Sequence, residues 1–268
     1  MDFTTIRYET QGSVALLTLS RPDKLNAINS VMIQELHQAM DKAESDEEVR
    51  VIILQGEGRA FSAGFDINGG TSQGDITSKR KVLTEDFNII MRFWDCPKPT
   101  ISAIHKYCFG GALEMAMACD LTIASEECRL GEPEPKFGSG IVALLMPWMT
   151  GPKQAKQLLM TGDDRVTAKR AYEMGLVNEV TVEGQHSDAA LKLARTISAL
   201  DKTAIALTKQ AINRSYEIMG MRQALLQALE TDVVIETTET PESREFNDIL
   251  ERHGLKEALA WRENRYAG

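Results

Sequence analysis

The chain has 268 residues, 43% of them hydrophobic and 26% charged, and a formal net charge of −9. This length suits one large α/β domain, or a domain of about 200 residues with a smaller appendage. The negative charge argues against a nucleic-acid surface and against binding to anionic membranes. No run approaches the ~18 apolar residues of a membrane span.

Cysteine usage indicates the cellular compartment. Four cysteines lie in or beside apolar runs and form no CxxC pair: Cys96, Cys108, Cys119 and Cys128. This usage is typical of buried free thiols in a reducing environment. The N-terminus also lacks the basic and apolar blocks of a signal peptide. We therefore expect a cytoplasmic protein.

The first part of the chain alternates predicted strands and helices. Tyr8–Ser20 predicts a hairpin that turns at Gln11–Gly12. A helix capped by Asn29 is predicted to run to about Glu44. Val49–Gln55 is a β-branched run, typical of a strand covered on both faces. This strand–helix–strand order predicts α/β layering.

The loop Gly56–Gly64 closes this strand, and residues 65–67 begin a new element near the strand's carboxyl end. Ligands of α/β folds commonly bind at such ends, so the backbone N–H groups here form one candidate anion site. A plain surface turn is the alternative. The polar segment Gly69–Ser78 is predicted to be a mobile lid. A helix over Val82–Trp94 follows it.

The stretch Thr100–Asp120 is predicted to be a strand, a glycine turn and a helix. At the helix start, Gly110 and Gly111 leave backbone N–H groups without partners, and the helix macrodipole favours an anionic oxygen there. Glu114, about one turn further on, can face the same position, which suits proton transfer beside a carbonyl. A helix-capping acid after a packing glycine pair is the alternative.

The loop Arg129–Gly140 carries two acids, Glu132 and Glu134, on either side of Pro133. The prolines keep this backbone extended, so we expect the two acids to point in different directions. An acid on such a rigid loop can act as a catalytic partner for Glu114. A solvated acidic loop is the alternative.

Helical patterns dominate the rest of the chain. Ile141–Met149 predicts a buried helix interrupted at Pro147, and Leu176–Val182 predicts a strand. Further helices are predicted over Gly151–Thr161, over Thr167–Met174, and from Ser187 onward with breaks near Leu200, Gly220, Pro241 and Gly254. We therefore divide the chain into an α/β core (residues 1–198) and a helical C-terminal region (residues 199–268), whose apolar faces suit a neighbouring subunit.

Several motifs together resemble the crotonase superfamily, the enoyl-CoA hydratase/isomerase group. They occur in family order at Arg21–Ile28 (RPDKLNAI), Arg59–Ile67 (RAFSAGFDI), Tyr107–Asp120 (YCFGGALEMAMACD), Leu130–Glu134 (LGEPE) and Thr161–Asn178 (TGDDRVTAKRAYEMGLVN). The resemblance implies a crotonase-like spiral of ββα turns with a helical C-terminal trimerisation region. It implies a homotrimer, often paired into a hexamer.

The resemblance also implies a ligand and a catalytic set. The ligand is an acyl-CoA thioester, with coenzyme A as part of the substrate and no separate cofactor. Its carbonyl oxygen is expected between the backbone N–H groups of Phe65 and Gly111. The hydratase branch uses two glutamates, and both positions are glutamate here, Glu114 and Glu134. One is expected to take a proton from water while the other delivers one to the α-carbon.

The resemblance places the nucleotide end of coenzyme A as well. Ala27, Ala63 and Ile67 match positions whose backbone lies along that end, and Asp66 adjoins them. Lys24 matches a basic position that can meet a phosphate, although a solvated lysine is the alternative.

The segment after Glu134 departs from the family pattern. It reads PKFGSGIVALLMPWMTG and lacks the usual proline-glycine turn, so the wall of the acyl pocket is not inherited. Its apolar residues suggest an apolar acyl group: Phe137, Ile141, Leu144 and Trp148.

The predicted function is therefore enoyl-CoA hydratase. The alternatives are a 3-enoyl/2-enoyl-CoA isomerase, a related acyl-CoA lyase, and a non-catalytic member that binds CoA esters or RNA. A serine hydrolase is disfavoured because there is no GxSxG and because the histidines share no motif with an acid: His37, His105, His186 and His253. No His, Cys or Asp spacing suggests a metal site.

Overall fold

The central sheet begins with a tight hairpin. The structure, a computed structural model, describes residues 3–66 and 75–266. Gly12 turns the chain with a φ of 62°, and the flanking strands pair from Ile6 opposite Leu19 to Gln11 opposite Val14. The predicted hairpin is confirmed.

The strands of the described residues form two sheets. They are β1 (Ile6–Gln11), β2 (Val14–Leu19), β3 (Val51–Gly56), β4 (Thr100–Ile104), β5 (Tyr107–Phe109), β6 (Leu121–Ser125), β7 (Arg129–Gly131), β8 (Val166–Thr167) and β9 (Glu179–Thr181). The larger sheet has the order β1-β2-β3-β4-β6-β9, antiparallel between β1 and β2 and parallel thereafter. The smaller sheet has the order β5-β7-β8. Parallel neighbours need crossover connections, which helices supply here.

The helices in the same described parts of the chain are α1 (Ser30–Ser45), α2 (Ile76–Asp95), α3 (Gly111–Ala118), α4 (Met146–Thr150), α5 (Pro152–Thr161), α6 (Ala168–Glu173), α7 (His186–Ser198), α8 (Lys202–Ile218), α9 (Met221–Thr237), α10 (Pro241–His253) and α11 (Leu255–Tyr266). None of them combines the length and the apolar character that crossing a membrane requires. Asn29 caps α1, as predicted, by accepting a hydrogen bond from the Met32 N–H.

The large sheet is covered on both faces. Successive side chains of a strand point to opposite faces. Ile53 of β3 therefore packs toward Ala190 on α7, whereas Ile52 and Leu54 pack into the main core with Leu36 of α1. This burial explains the continuous apolar run of β3 and confirms its prediction as a doubly covered strand.

The chain changes sheets just before α3. The predicted single strand is two strands, β4 and β5, and Lys106 between them has a left-handed φ of 56°. This bend moves the chain from the large sheet to the small one. β5 then leads directly into Gly110 and α3, so the small sheet determines where α3 begins.

The predicted helix over Ile141–Met149 is wrong in its first half. Residues 141–145 are not α-helical, and α4 begins at Met146 with Pro147 in its first turn. Proline is well tolerated there because a first-turn N–H has no helical acceptor. The Ala143 N–H donates instead to the carboxyl of Glu114, so this segment's backbone serves a side chain rather than a helix.

The segment predicted to be a lid, Gly69–Ser78, lies outside the described residues up to residue 74. Its last residues belong to α2, because Asp75 caps that helix by accepting hydrogen bonds from the Thr77 and Ser78 N–H groups. The helix therefore starts six residues earlier than Val82, the start that its apolar spacing predicts.

The C-terminal helices break where predicted, and the mixed α/β fold with a helical C-terminal region is confirmed. Their apolar faces divide into two sets. Leu225, Leu229 and Val233 of α9 are buried in the main core, whereas Leu226 and Val234 are exposed. The division of the chain between residues 198 and 199 stays a prediction.

Candidate active site

Two loop segments run side by side at the start of α3. The Ser62 N–H donates to the Tyr107 carbonyl at 3.0 Å, and the Phe109 N–H donates to the Ser62 carbonyl at 3.2 Å. Gly64 has a φ of 92°, and a Cβ on it would lie 2.7 Å from the Phe109 carbonyl oxygen. Only glycine allows this close approach. It brings Phe65 next to the first residues of α3.

Two backbone N–H groups remain available at this junction. Gly111 is the first residue of α3, and neither its N–H nor that of Phe65 donates to any acceptor among the described residues. The Phe65 ring lies against the Cα of Gly111, where a Cβ would overlap it. The two candidate donors therefore come from adjacent residues in space, and the positive end of the α3 dipole lies behind one of them.

Glu114 occupies the first turn of α3 and is 1% exposed. Its Oε2 accepts a hydrogen bond from the Ala143 N–H at 2.5 Å. Burial raises its pKa well above the usual range, and the nearby charge of Glu134 raises it further. The two glutamates that the sequence predicts as partners are therefore close in space.

Glu134 begins a short 3-10 turn that ends at Phe137. Its carboxyl packs directly on Gly110, so that a Cβ on that glycine would overlap Oε1 and lie 3.0 Å from Cδ. Burial raises the pKa of Glu134 to about 8. Its Oε2 is buried and has no hydrogen-bond partner among the described residues. Glu134 thus lies beside the glycine turn, next to Glu114.

The prediction that Glu132 and Glu134 point in different directions is wrong. Glu132 does not point away from Glu134, because its fully buried carboxyl lies close enough to interact with the Glu134 carboxyl. Burial raises its pKa strongly, and the Glu134 and Glu114 charges add to that shift. No N–H or O–H of the described residues donates to either of its oxygens. Like charges at this range cannot all ionise together, so at least one of the acids retains its proton at neutral pH.

We expect Glu132→Gln to stabilise the protein more at about pH 8.5 than at about pH 5.5. The folded chain keeps the Glu132 proton, whereas the unfolded chain releases it above a pH of roughly 4.3. The stability associated with this proton is therefore full at low pH and is lost as the pH rises through the raised pKa. Glutamine stays neutral throughout.

Urea unfolding of wild type and Glu132→Gln at both pH values measures this difference, with the exposed Glu48→Gln as the control. We expect a gain of roughly 1–3 kcal/mol at the higher pH, the usual cost of an unsatisfied buried polar group. An equal effect at both pH values would contradict a buried, protonated Glu132.

The residues expected at the nucleotide end of coenzyme A lie on two joined loops. The Ala63 N–H donates to the Leu25 carbonyl at 3.0 Å, Ala27 is half-buried, and Lys24 is exposed. Asp66 forms an ion pair with Arg21 at 2.9 Å. Ile67 and its predicted contact lie outside the described residues.

Asn26, which sequence reasoning missed, holds these loops together. It is fully buried with a left-handed φ of 53°, and its side-chain amide donates to the carbonyls of Glu57, Ala60 and Phe61. Its Oδ1 accepts from the Arg21 N–H at 2.8 Å. The only signal in the sequence was the residue type, because asparagine tolerates the left-handed conformation.

The apolar acyl wall stays a prediction. Leu144 and Trp148 pack against the main core, and Ile141 is half-buried. The Phe137 side chain lies outside the described part of the structure. An acid that the sequence analysis did not single out, Asp232, lies near the paired glutamates, and a second one, Asp86, lies near Asp232.

Comparisons with known proteins identify the family. A family model described as enoyl-CoA hydratase/isomerase matches residues 9–256. The short-chain-enoyl-CoA hydratase of Clostridium acetobutylicum is 33% identical over 81% of this chain and 84% of its own length. A putative enoyl-CoA hydratase of Thermus thermophilus is 35% identical over 75% of this chain and 81% of its own length.

Solved structures are similar over the whole chain. The crystal structure of an enoyl-CoA hydratase/isomerase from Xanthobacter autotrophicus Py2 is 45% identical, with a TM-score of 0.97 over 100% of both chains. An enoyl-CoA hydratase from Mycobacterium smegmatis is 28% identical, with a TM-score of 0.90 over 99% of this chain and 96% of that one. The likeness therefore covers the C-terminal helices as well as the sheets.

Proposed function

Because this chain belongs to the enoyl-CoA hydratase/isomerase family, we propose that it is an enzyme that reversibly adds water to a 2-enoyl-CoA thioester. One observation carries the proposal. Two interacting glutamates, the buried Glu114 and the half-buried Glu134, lie beside two backbone N–H groups that have no acceptor among the described residues.

The N–H groups of Phe65 and Gly111 bind the thioester oxygen in this proposal. Addition of water to C3 moves negative charge onto that oxygen as an enolate forms. Donors held in place before the reaction stabilise this charge without reorganising, and loss of one such donor typically costs ~10²–10³ in rate. The close packing of Gly64 on Phe109 keeps the two donors together.

Glu114 and Glu134 carry the protons. One carboxylate accepts a proton from water as its oxygen bonds to C3, and the other carboxylic acid gives a proton to C2 as the enolate collapses. The step is balanced, because the pair loses one proton and gains another. It requires that one acid be ionised and the other protonated, which mutual repulsion between two neighbouring carboxyls favours.

The joined loops around Asn26 hold the coenzyme A portion in this proposal. Ala27 and Ala63 present backbone to the nucleotide, and Lys24 is exposed and free to meet a phosphate. The ion pair between Arg21 and Asp66 fixes the loop edge. No other cofactor takes part.

We also propose that the chain assembles into trimers, or hexamers built from two trimers, through its C-terminal helices. Apolar side chains are exposed along α8 and α9, with Ile218 78% and Met219 60% exposed in the single chain. Several exposed large apolar side chains on neighbouring helices are typical of subunit interfaces. Sedimentation equilibrium would measure the assembly, and a monomer at micromolar concentration would refute it.

We also propose that the protein resides in a reducing compartment, the cytoplasm. This location is supported by four buried free thiols, Cys96, Cys108, Cys119 and Cys128.

Turnover of (E)-2-enoyl-CoA esters in H₂¹⁸O tests the activity. We expect loss of the enoyl absorbance and one ¹⁸O in the 3-hydroxyacyl-CoA product. A 3-enoyl/2-enoyl-CoA isomerase would instead interconvert the two enoyl esters without taking up label. Esters of short, long, branched and aromatic acyl groups are assayed in parallel, and absence of labelled product from all of them would refute hydration.

A further inference from the structure

Asp232 is an acid that the proposed chemistry leaves without a role. It lies on α9, in the C-terminal region, and is 2% exposed. Neither of its carboxylate oxygens forms a hydrogen bond with any of the described residues, although the Gly140 N–H faces it and lowers its pKa. A buried carboxyl whose oxygens have no hydrogen-bond partner is destabilising, so its retention needs an explanation.

The Asp232 carboxyl points into the proposed site. It packs on the Cα of Gly140, where a Cβ would overlap Oδ1. Gly140 belongs to the loop whose Ala143 N–H binds Glu114. The Asp232 charge also acts on both Glu114 and Glu134, raising the pKa of each. Asp232 is therefore close to the proposed reacting groups.

A second acid, Asp86, lies near Asp232. Asp86 of α2 is 8% exposed, and its pKa is raised to about 7 by burial, by Glu85 and by Asp232. The segment predicted to form an apolar acyl wall thus faces the Asp232 carboxyl at Gly140, and Asp86 lies close to Asp232. An apolar acyl chain would leave the Asp232 carboxyl without a partner.

Asp232 is also held in place. Glu236, one turn further along α9, accepts a hydrogen bond from the Ser139 hydroxyl and forms an ion pair with Lys79 of α2 at 3.1 Å. These contacts tie α9 to both the 138–143 loop and α2. The carboxyl of Asp232 therefore stays aimed at Gly140 rather than turning toward solvent.

We propose that Asp232, together with Asp86, forms a polar acyl end of the site and binds a hydroxyl group carried on the acyl chain of the substrate. A hydroxyl group both donates and accepts hydrogen bonds, so it pairs with a carboxyl in either protonation state. An ammonium group would need an ionised partner, which the neighbouring acids disfavour. The substrate class is thus a hydroxyacyl-type 2-enoyl-CoA, and this inference rests on the proposed function.

The test compares hex-2-enoyl-CoA with its 4-, 5- and 6-hydroxy derivatives as substrates. We expect wild type to prefer at least one hydroxy ester by about tenfold or more in kcat/KM, since a site with buried polar groups rejects the analogue that leaves them unpaired. Asp232→Leu is expected to abolish this preference. Glu230→Gln is the matched control on the same helix, because Glu230 is a surface residue paired with Arg80.

A binding measurement separates this inference from the proposed activity. Calorimetry with saturated hexanoyl-CoA and the three hydroxyhexanoyl-CoA esters needs no turnover. Tighter binding of one hydroxy ester supports the inference even if no ester is hydrated. Equal binding and equal turnover of all esters by wild type overturns it, as does a preference that persists in Asp232→Leu. If Asp232→Leu fails to fold, Asp232→Asn and the wild-type comparison still decide.

Discussion

Glu114→Gln and Glu134→Gln are each expected to lower kcat by roughly 10²–10⁴-fold, the usual contribution of a positioned acid or base. Glutamine has nearly the size of the protonated acid and carries no charge. Burial raises the pKa of both glutamates, so each substitution resembles a form that the folded protein already accommodates. We therefore expect the fold and the binding of acyl-CoA esters to survive.

Steady-state assays with 2-enoyl-CoA esters measure the loss, and calorimetry with a saturated acyl-CoA measures the retained binding. The double variant, Glu114→Gln with Glu134→Gln, is a further test. Substitutions of groups that act together have strongly non-additive effects on rate, so the double variant should be little slower than the worse single variant. Glu230→Gln serves as the control. Near-normal turnover of both single variants on every ester tried would refute the proposed mechanism.

Gly110→Ala is expected to lower kcat by about 10²-fold and to destabilise the fold by ~1–3 kcal/mol. Gly110 has φ 53° and ψ −133°, a conformation that residues with a Cβ rarely adopt. The added Cβ would also overlap Oε1 of Glu134 and push that carboxyl away from Glu114. A displacement of about 1 Å at a reacting group can cost 10²-fold in rate.

Gly12→Ala separates the effect of backbone strain from the effect of displacing the Glu134 carboxyl. Gly12 also has a positive φ, 62°, but a Cβ there would meet no atom within 4 Å. This variant should lose some stability in thermal unfolding, because of its positive φ, and should keep an unchanged kcat. If Gly110→Ala keeps wild-type kcat, Glu134 is not fixed by its packing on the glycine turn, and its proposed position in the reaction is wrong.

One loop contributes both to the proposed activity and to the acidic acyl end. Residues 138–143 supply the Ala143 N–H that holds Glu114 and the Gly140 surface on which Asp232 rests. A continuous helix over this segment would have used its amides internally. Because this segment is not helical, the Ala143 N–H is available to bind Glu114.

Local patterns determined much of this protein from the sequence alone. The hairpin at Gly12, the Asn29 cap and the breaks between the C-terminal helices depend on residues within a few positions of one another. The grouping of Glu114 with the Gly110–Gly111 turn is local in the same way. Such features follow from backbone preferences and hydrophobic spacing, which a single chain displays.

Only the tertiary structure decided the rest. Asp232 lies 118 residues after Glu114, and no periodicity connects α9 with α3; packing of distant elements brings the two acids together. Glu132 was expected to turn away from Glu134, yet it is fully buried and its carboxyl interacts with that of Glu134. Side-chain burial and long-range charge depend on which surfaces meet, and local sequence does not contain that information.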